Sequence, residues 1–272
     1  MRSSAPVPTS AEDDVDPPAD WYLDDGFNMP VTQSNDHRGE VLRRTFEVGA
    51  RRRGVTASMH VNVALRWDRF HKGVGVDPDV MWVEPPLPTG MRSVLTWQPG
   101  VHPPRVAVEI VSEDNATKDY QRGPAKYGAS GTRELWVFDP EGYGRDEKGR
   151  GPWMLQVWRR DKSGRFKRTY VGDGPEYSHE LDAWIVVVDG LLRVADDEDG
   201  TKLWPTTDEE RDAAEARAVA EATARQAAEV RASTAEGPHG PLGCRSRTSS
   251  SLRSWPSWAR GPRKVSGEGC GV

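Results

Sequence analysis

The fold is decided by the stretch VAVEIVSEDNATKDYQRGPAKYGASGTRELWVFD, which spans residues 106–139. Residues 106–111 and 134–138 are short apolar runs bounded by Pro, Gly or Asp, a pattern typical of buried strands. Residues 118–129, between these runs, predict a short helix. Residues 80–83 form a third run of the same kind. The sequence therefore predicts three buried strands, with a helix between the last two.

One helix and one strand are predicted before these runs. Within residues 36–53, Leu42, Phe46 and Ala50 recur every four positions, which is the spacing of one helix face. Residues 59–67 alternate apolar residues with polar or small ones, and this two-residue period predicts a single strand.

Two hairpins are predicted after the decisive stretch. Residues 153–159 and 165–171 flank a Lys-Ser-Gly turn, and residues 184–188 and 191–194 flank Asp189-Gly190. Asp-Gly between apolar runs is a strong signal for a two-residue hairpin turn. The order of elements predicts an α/β protein, more closely an α+β fold with a mixed sheet and flanking helices.

The composition predicts extensions on both sides of one folded domain. Residues 1–21 are rich in Pro, Ser and Asp and predict a disordered leader, whereas residues 22–204 hold the predicted elements. Residues 205–236 are rich in Ala and Glu and predict a helical extension. Residues 237–272 lack periodicity and predict a disordered tail. We hypothesise that a frameshift produced this tail.

The net charge, the positions of the cysteines and the hydropathy of the sequence argue against several classes of protein. The net charge is −5, but residues 237–272 carry six basic residues and one acidic residue, so residues 1–236 carry −10. An acidic body argues against strong non-specific binding to duplex DNA. Both cysteines, Cys244 and Cys270, lie in the tail, which excludes a cysteine-based zinc site from the domain. The sequence has neither a secretory signal nor a run of about 18 apolar residues, so we expect a cytoplasmic protein without membrane contact.

The helical extension has a small-residue stripe that could pair with another helix. Its spacing of three and four residues is that of a weak coiled-coil seam, which would give a homodimer. A solvated helix without a partner explains the same pattern equally well. The stripe comprises Ala213, Ala216, Ala220, Thr223, Ala227 and Val230.

Two acidic residues at the apolar runs are candidates for metal chemistry. Glu109 lies inside a run that should be buried, where a carboxylate is costly unless it is paired or bound to a cation. Asp79 begins a neighbouring run. Two such carboxylates suit Mg²⁺ (or Mn²⁺), which can activate a water for phosphodiester hydrolysis. A structural ion pair is the alternative for Glu109.

Lys126 could stabilise negative charge beside these carboxylates. Asp119 precedes it by seven residues, about two helical turns, so both would share one face of a continuous helix. Pro124 lies between them and disfavours a continuous helix. If the helix begins at Pro124, Asp119 becomes a cap or loop residue.

The motifs PDVMWV, VAVEIVS and KDYQRGPAKYGASGTRELWVFDP together resemble the Uma-type endonucleases, a bacterial family of the PD-(D/E)xK nuclease superfamily. The resemblance covers roughly residues 32–192. It implies a restriction-endonuclease-like core with Asp79 and Glu109 as metal ligands. The superfamily's usual lysine position, two residues after the glutamate, is Val111 here. The resemblance therefore implies that Lys126 has taken over this role.

Three further residues are candidates through the same resemblance. Glu40 or Glu47 could supply the additional acid that many members carry on the first helix, and Glu40 is preferred because it lies close to His37. His37, expected ahead of the first helix, matches an early histidine of the family.

These observations predict a metal-dependent endonuclease that hydrolyses DNA phosphodiester bonds, with catalytic residues Asp79, Glu109 and Lys126. A nuclease acting on RNA or on a special DNA structure is a second possibility. The competing hypothesis is a catalytically silent scaffold that binds partners or assembles through its C-terminal helix.

Overall fold

The computed structural model describes residues 16–23 and 33–235. Within these residues the helices are α1 (Gln33–Arg52), α2 (Gly123–Ser130) and α3 (Thr207–Ala235). The strands are β1 (Ser58–Val61), β2 (Leu65–Arg66), β3 (Gly75–Val76), β4 (Val80–Val83), β5 (Val94–Leu95), β6 (Val106–Ile110), β7 (Glu134–Phe138), β8 (Leu155–Arg160), β9 (Phe166–Gly172), β10 (Glu176–Ser178), β11 (Ala183–Val188) and β12 (Leu191–Ala195).

The central sheet has the strand order β1-β4-β6-β7-β8-β9. Strands β6 and β7 are parallel and joined through α2, whereas the other neighbouring pairs are antiparallel. Two small sheets, β10-β11-β12 and β3-β2-β5, accompany it. The predicted α+β fold with a mixed sheet and a C-terminal helix is confirmed.

Alternating side chains of the central strands fill two apolar layers. On one face, Val108 and Trp136 pack with α1, and the ring of Phe46 meets that of Trp136 edge-on at 5.6 Å. On the other face, Ala107 and Leu135 pack with Tyr127 of α2. Because successive strand residues point to opposite faces, the odd-numbered residues of β6 face α2.

Both predicted hairpins form. Strands β8 and β9 pair around the Lys-Ser-Gly turn, and β11 and β12 pair around Asp189-Gly190. Asp189 and Gly190 both have positive φ, 52° and 72°. This is the backbone of a type I′ turn, whose twist matches that of the flanking strands.

One sequence prediction about a single element was wrong, and for a second element the alternative prediction, a helix that begins at Pro124, was confirmed. Residues 59–67 form two short strands in different sheets, because Asn62 adopts a positive φ of 52° and turns the chain between β1 and β2. The helix predicted for residues 118–129 is divided. Lys118–Arg122 form a π-helical turn, and α2 begins at Gly123 with Pro124 in its first turn, where its missing N–H has no helical acceptor to lose.

Part of the predicted leader belongs to the fold. Ala19–Trp21 form a 3₁₀ turn, Tyr22 bridges to Val74, and the N–H of Leu23 donates to the carbonyl of Gly73 at 2.8 Å. Residues 1–15 and the predicted tail, with both cysteines and the frameshift hypothesis, lie outside the described residues.

A close approach at Gly49 anchors the chain before α3. The Trp204 ring lies so close to α1 that a Cβ at Gly49 would come within 2.1 Å of ring atoms. Trp204 donates its indole N–H to Asp196 at 2.7 Å, and the Arg53 guanidinium lies 4.6 Å from the ring centre. Position 49 therefore accommodates no side chain beside this tryptophan.

The start of α3 is closed by a capping box. The hydroxyl of Thr206 accepts the N–H of Glu209 at 3.1 Å, and the Glu209 carboxylate accepts the N–H of Thr206 at 2.6 Å. The described chain divides into two compact units, one up to Val219 and one from Ala220. In the second unit, the described residues are the end of α3. No helix among the described residues is long and apolar enough to cross a membrane.

Candidate functional site

Asp79, the residue before β4, and Glu109 on β6 lie opposite each other and are called here the carboxylate pair. Strands β4 and β6 are antiparallel, with Val80 opposite Val108, and the same register places Asp79 opposite Glu109. Directly opposed residues have Cβ atoms about 4.5–5.5 Å apart. The Asp79 Oδ2 atom also accepts the N–H of Ile110 at 2.5 Å. The backbone therefore fixes both acids where β4 begins and β6 ends, in the interior of the sheet and on the face that carries α2.

Burial and mutual repulsion disfavour ionisation of both members of the carboxylate pair. Burial, followed by the charge of Glu109, raises the pKa of Asp79 to about 8. Burial likewise raises the pKa of Glu109, although Lys118 and the hydroxyl of Tyr127 oppose this shift. A cation between the two acids would remove the repulsion and stabilise both as carboxylates.

Tyr127 holds one oxygen of Glu109. Its hydroxyl donates to Oε1 at 2.6 Å from a fully buried position on α2. Burial raises the pKa of Tyr127 well above its ordinary value, which keeps the hydroxyl protonated as a donor. Sequence reasoning did not assign this role to Tyr127, because the pairing of α2 with β6 is a tertiary contact.

Two lysines border the carboxylate pair, and sequence reasoning singled out only Lys126. The charge of Glu109 is the main reason why the pKa of Lys118 is raised, and Asp79 acts in the same direction. Lys126 is buried on α2, and its pKa is lowered, first by burial and then by the charge of Lys118. Lys118 is therefore the ammonium more strongly attracted to Glu109.

Asp119 lies in the π-helical turn before α2 and is buried. Burial, and then the charge of Glu109, raises the pKa of Asp119 well above its ordinary value. The structure thus brings Asp119 near the carboxylate pair, but in a turn and not on a helix face shared with Lys126.

The additional acids on α1, Glu40 and Glu47, are both paired with arginines. Glu40 pairs with Arg43 at 2.6 Å and with Arg44 at 2.8 Å, and its hydrogen bond with Arg43 contributes most to lowering its pKa to about 2. Glu47 also pairs with Arg43. His37 lies inside α1 and is exposed, not ahead of the helix as predicted.

The carboxylate pair has one oxygen on each acid to which the described part of the structure gives no hydrogen-bond donor. Asp79 Oδ2 and Glu109 Oε1 are occupied by protein donors, which leaves Oδ1 and Oε2 as candidate ligands. Among residues 16–23 and 33–235, no group of three or more His, Cys, Asp or Glu side chains is arranged to hold a metal. Mg²⁺ is commonly bound by one or two carboxylates with waters and substrate phosphate completing its shell, so two acids suffice.

Comparison with known proteins identifies the region that carries these residues. The model of the Uma2 family, described as "Putative restriction endonuclease", matches residues 24–144. No curated protein matches the chain. A crystal structure of "a putative nuclease belonging to DUF820" from Anabaena variabilis ATCC 29413 is similar, with 14% identity over 56% of this chain and 75% of that chain and a TM-score of 0.36. The resemblance to the Uma-type endonucleases is confirmed over residues 24–144, which match the Uma2 family.

Proposed function

We propose that the protein is a metal-dependent endonuclease that hydrolyses DNA phosphodiester bonds. The observation that carries the proposal is the carboxylate pair, two acids held opposite each other just before β4 and on β6, with one oxygen of each left for a cation. The family description of residues 24–144 supports a nuclease. Glu109 is buried and Asp79 is half-buried beside it, and keeping two acids together in such a position costs free energy that a purely structural strand end could avoid.

Each residue at the site would have a separate role in catalysis. Asp79 and Glu109 would hold Mg²⁺ or Mn²⁺, and Tyr127 would keep Glu109 oriented through its 2.6 Å hydrogen bond. When bound, the cation lowers the pKa of a coordinated water and offsets charge on the phosphate. Asp119, which is buried and lies near Glu109, would add a third carboxyl group beside the bound cation.

A lysine would stabilise the negative charge that develops on the phosphate. Sequence reasoning gave this role to Lys126. We assign it to Lys118, because Glu109 has the largest effect on its pKa, whereas Lys126 experiences burial and the repulsion of Lys118. Lys126 would then serve by keeping a second positive charge near the incoming phosphate.

The test combines metal binding with cleavage. Mg²⁺ or Mn²⁺ is titrated by calorimetry into the wild type, Glu109→Gln and Glu40→Gln, and the same samples are assayed for nicking of supercoiled plasmid. We expect Glu109→Gln to lose both activities and Glu40→Gln to keep both, since Glu40 is engaged by arginines. The proposal fails if the wild type binds no metal at millimolar concentration. Parallel assays on an RNA transcript decide between DNA and RNA as substrate.

The second candidate is a silent scaffold that assembles through α3. Residues 211–234 of this helix are all exposed, and Val219 and Val230 are 67% and 60% exposed. Homodimerisation through this helix would cover such side chains. Sedimentation velocity on the wild type and Val230→Lys tests the idea, which requires a dimer in the wild type that the lysine dissociates.

A further inference from the structure

The turn between β2 and β3 presents an aromatic ring to solvent on a fixed backbone. Phe70 is 77% exposed, the largest exposed fraction among the large hydrophobic side chains of the described residues. Asp68 fixes the turn, because its Oδ1 accepts the N–H of Phe70 at 2.8 Å and that of His71 at 3.0 Å. Its Oδ2 lies 2.8 Å from Nδ1 of the His71 ring. The exposed ring therefore sits on a preorganised turn.

Two exposed basic residues, Arg69 and Lys72, flank this ring in the chain, while the acids at the turn, Asp16 and Asp68, both lie against His71. The guanidinium of Arg69 lies 4.5 Å from the ring centre of Phe70, and Arg69 and Lys72 are both exposed. The negative charge of Asp68 is directed towards His71 and the backbone amides of the turn. Arg66 donates to the carbonyl of Lys72 at 2.5 Å and adds a further cation at the base of the turn. An exposed aromatic ring between cations is the combination that binds bases by stacking and phosphates by charge.

The turn is joined to the candidate site by residues 19–23. The rings of Trp21 and Trp67 meet edge-on at 5.8 Å, and Tyr22 bridges to Val74. In the same segment, Asp20 lies 3.7 Å from Arg122, and its charge acts on Lys126.

The chain length also limits the distance from the turn to the site. Asp79 is nine positions after Phe70 in the chain. Because an extended chain spans at most about 3.6 Å per residue, the two residues lie at most about 32 Å apart. One bound strand of several nucleotides could contact both.

We propose that residues 68–72 form a nucleic-acid contact in which Phe70 stacks on an unpaired base and Arg69 and Lys72 contact phosphates of the strand that is cut at the carboxylate pair. This inference rests on the proposed nuclease function and adds a substrate feature to it, namely a single-stranded segment beside the cleavage position. A flat aromatic ring has no access to the face of a base that remains stacked in a duplex, which is why the contact selects unpaired bases.

Binding is measured by fluorescence anisotropy with a labelled 20-nucleotide oligo(dT) and with a 20-base-pair duplex, in EDTA so that no cleavage occurs. The proteins are the full-length wild type, Phe70→Ala, Phe70→Trp and Arg69→Ala/Lys72→Ala. The matched control is Val171→Ala, which removes another exposed apolar side chain, on edge strand β9.

We expect Phe70→Ala to raise the Kd for the single strand about 5- to 150-fold, the range that one lost stacking contact gives, and Phe70→Trp to restore binding. Removal of two phosphate contacts should reduce the slope of log K against log salt by about 1.4 for the single strand. Val171→Ala should bind like the wild type.

Several results would overturn the inference. These are a wild type that does not bind the single strand, equal Kd values for Phe70→Ala and Val171→Ala, or an equal loss of duplex and single-strand binding in Phe70→Ala. A different set of results would contradict the nuclease proposal alone. Plasmid nicking and metal binding at Glu109 would then be absent, while Phe70-dependent binding of the single strand would persist.

Discussion

Replacement of Asp79 by Asn should remove a pH dependence of stability from the metal-free protein. Its pKa is raised from 3.8 to about 8 in the folded state, mainly by burial and then by the charge of Glu109. Between these values the folded protein holds a proton that the unfolded chain has released. The free energy of unfolding therefore falls as pH rises, by about 1.4 kcal/mol per pH unit for one such group.

The size of the effect follows from the same two pKa values. The stability contributed by protonated Asp79 is fully present below pH 3.8 and is lost as pH rises through 8. Between pH 5 and pH 7.5, one group of this kind lowers the free energy of unfolding by about 3 kcal/mol. Asn cannot ionise, but its side-chain oxygen can still accept the N–H of Ile110. The difference in stability between wild type and Asp79→Asn should thus change by about 3 kcal/mol across this interval.

Urea unfolding followed by tryptophan fluorescence measures this difference, since the chain has 11 tryptophans. The experiment is run in EDTA at half-unit steps from pH 5 to pH 7.5. Glu40→Gln is the control, because the pKa of Glu40 is lowered to about 2 and its titration lies outside the interval. Its stability curve should run parallel to that of the wild type. If the Asp79→Asn curve is also parallel to the wild type, the reasoning about a buried, repelling carboxylate pair is refuted.

Four other variants test three separate parts of the structure. Tyr127→Phe removes the hydroxyl that donates to Glu109, so it should lower stability by about 1–3 kcal/mol and metal affinity about 10- to 100-fold, measured by urea unfolding and calorimetry. Lys118→Met should reduce plasmid nicking about 10²- to 10³-fold, and more than Lys126→Met does; the reverse order would return the role to Lys126. Gly190→Ala should cost about 1 kcal/mol in urea unfolding, since its φ is 72° and a Cβ there meets no atom within 4 Å; no loss would show that the turn relaxes.

The carboxylate pair could be anticipated in part from the sequence. An acid inside an apolar strand is costly, and this alone marks Glu109 as a candidate. Its position opposite Asp79 could not be derived, because it depends on β4 and β6 being antiparallel neighbours in one particular register. A shift of one residue would move one acid to the opposite face of the sheet.

The pairing of Glu40 with arginines was readable from the sequence. Arg43 and Arg44 follow it at the i+3 and i+4 positions of the predicted helix, where side chains of opposite charge meet on the surface. Proximity to His37 along the chain was a weaker guide than this local pattern. His37 itself is exposed on α1.

Sequence reasoning singled out Lys126 and did not consider Lys118. Lys118 lies in the π-helical turn of Lys118–Arg122, whose number of residues per turn differs from that of an α-helix, so α-helical spacing does not give its direction relative to Lys126. Pro124 was the signal for a break in the predicted helix, and the sequence analysis used it. The break between β1 and β2 at Asn62 had no comparable signal in the sequence. Asparagine can adopt a positive φ but does not have to, so the tertiary structure determines whether it does.

The packing of Trp204 against Gly49 has a consequence for how this sequence can diverge. An alanine at position 49 alone would collide with the indole, and a smaller residue at position 204 alone would leave a void against α1. Each single change is therefore selected against, whereas the double change can restore packing. Among relatives of this chain, the two positions should covary, with a side chain at position 49 appearing where position 204 has lost its tryptophan.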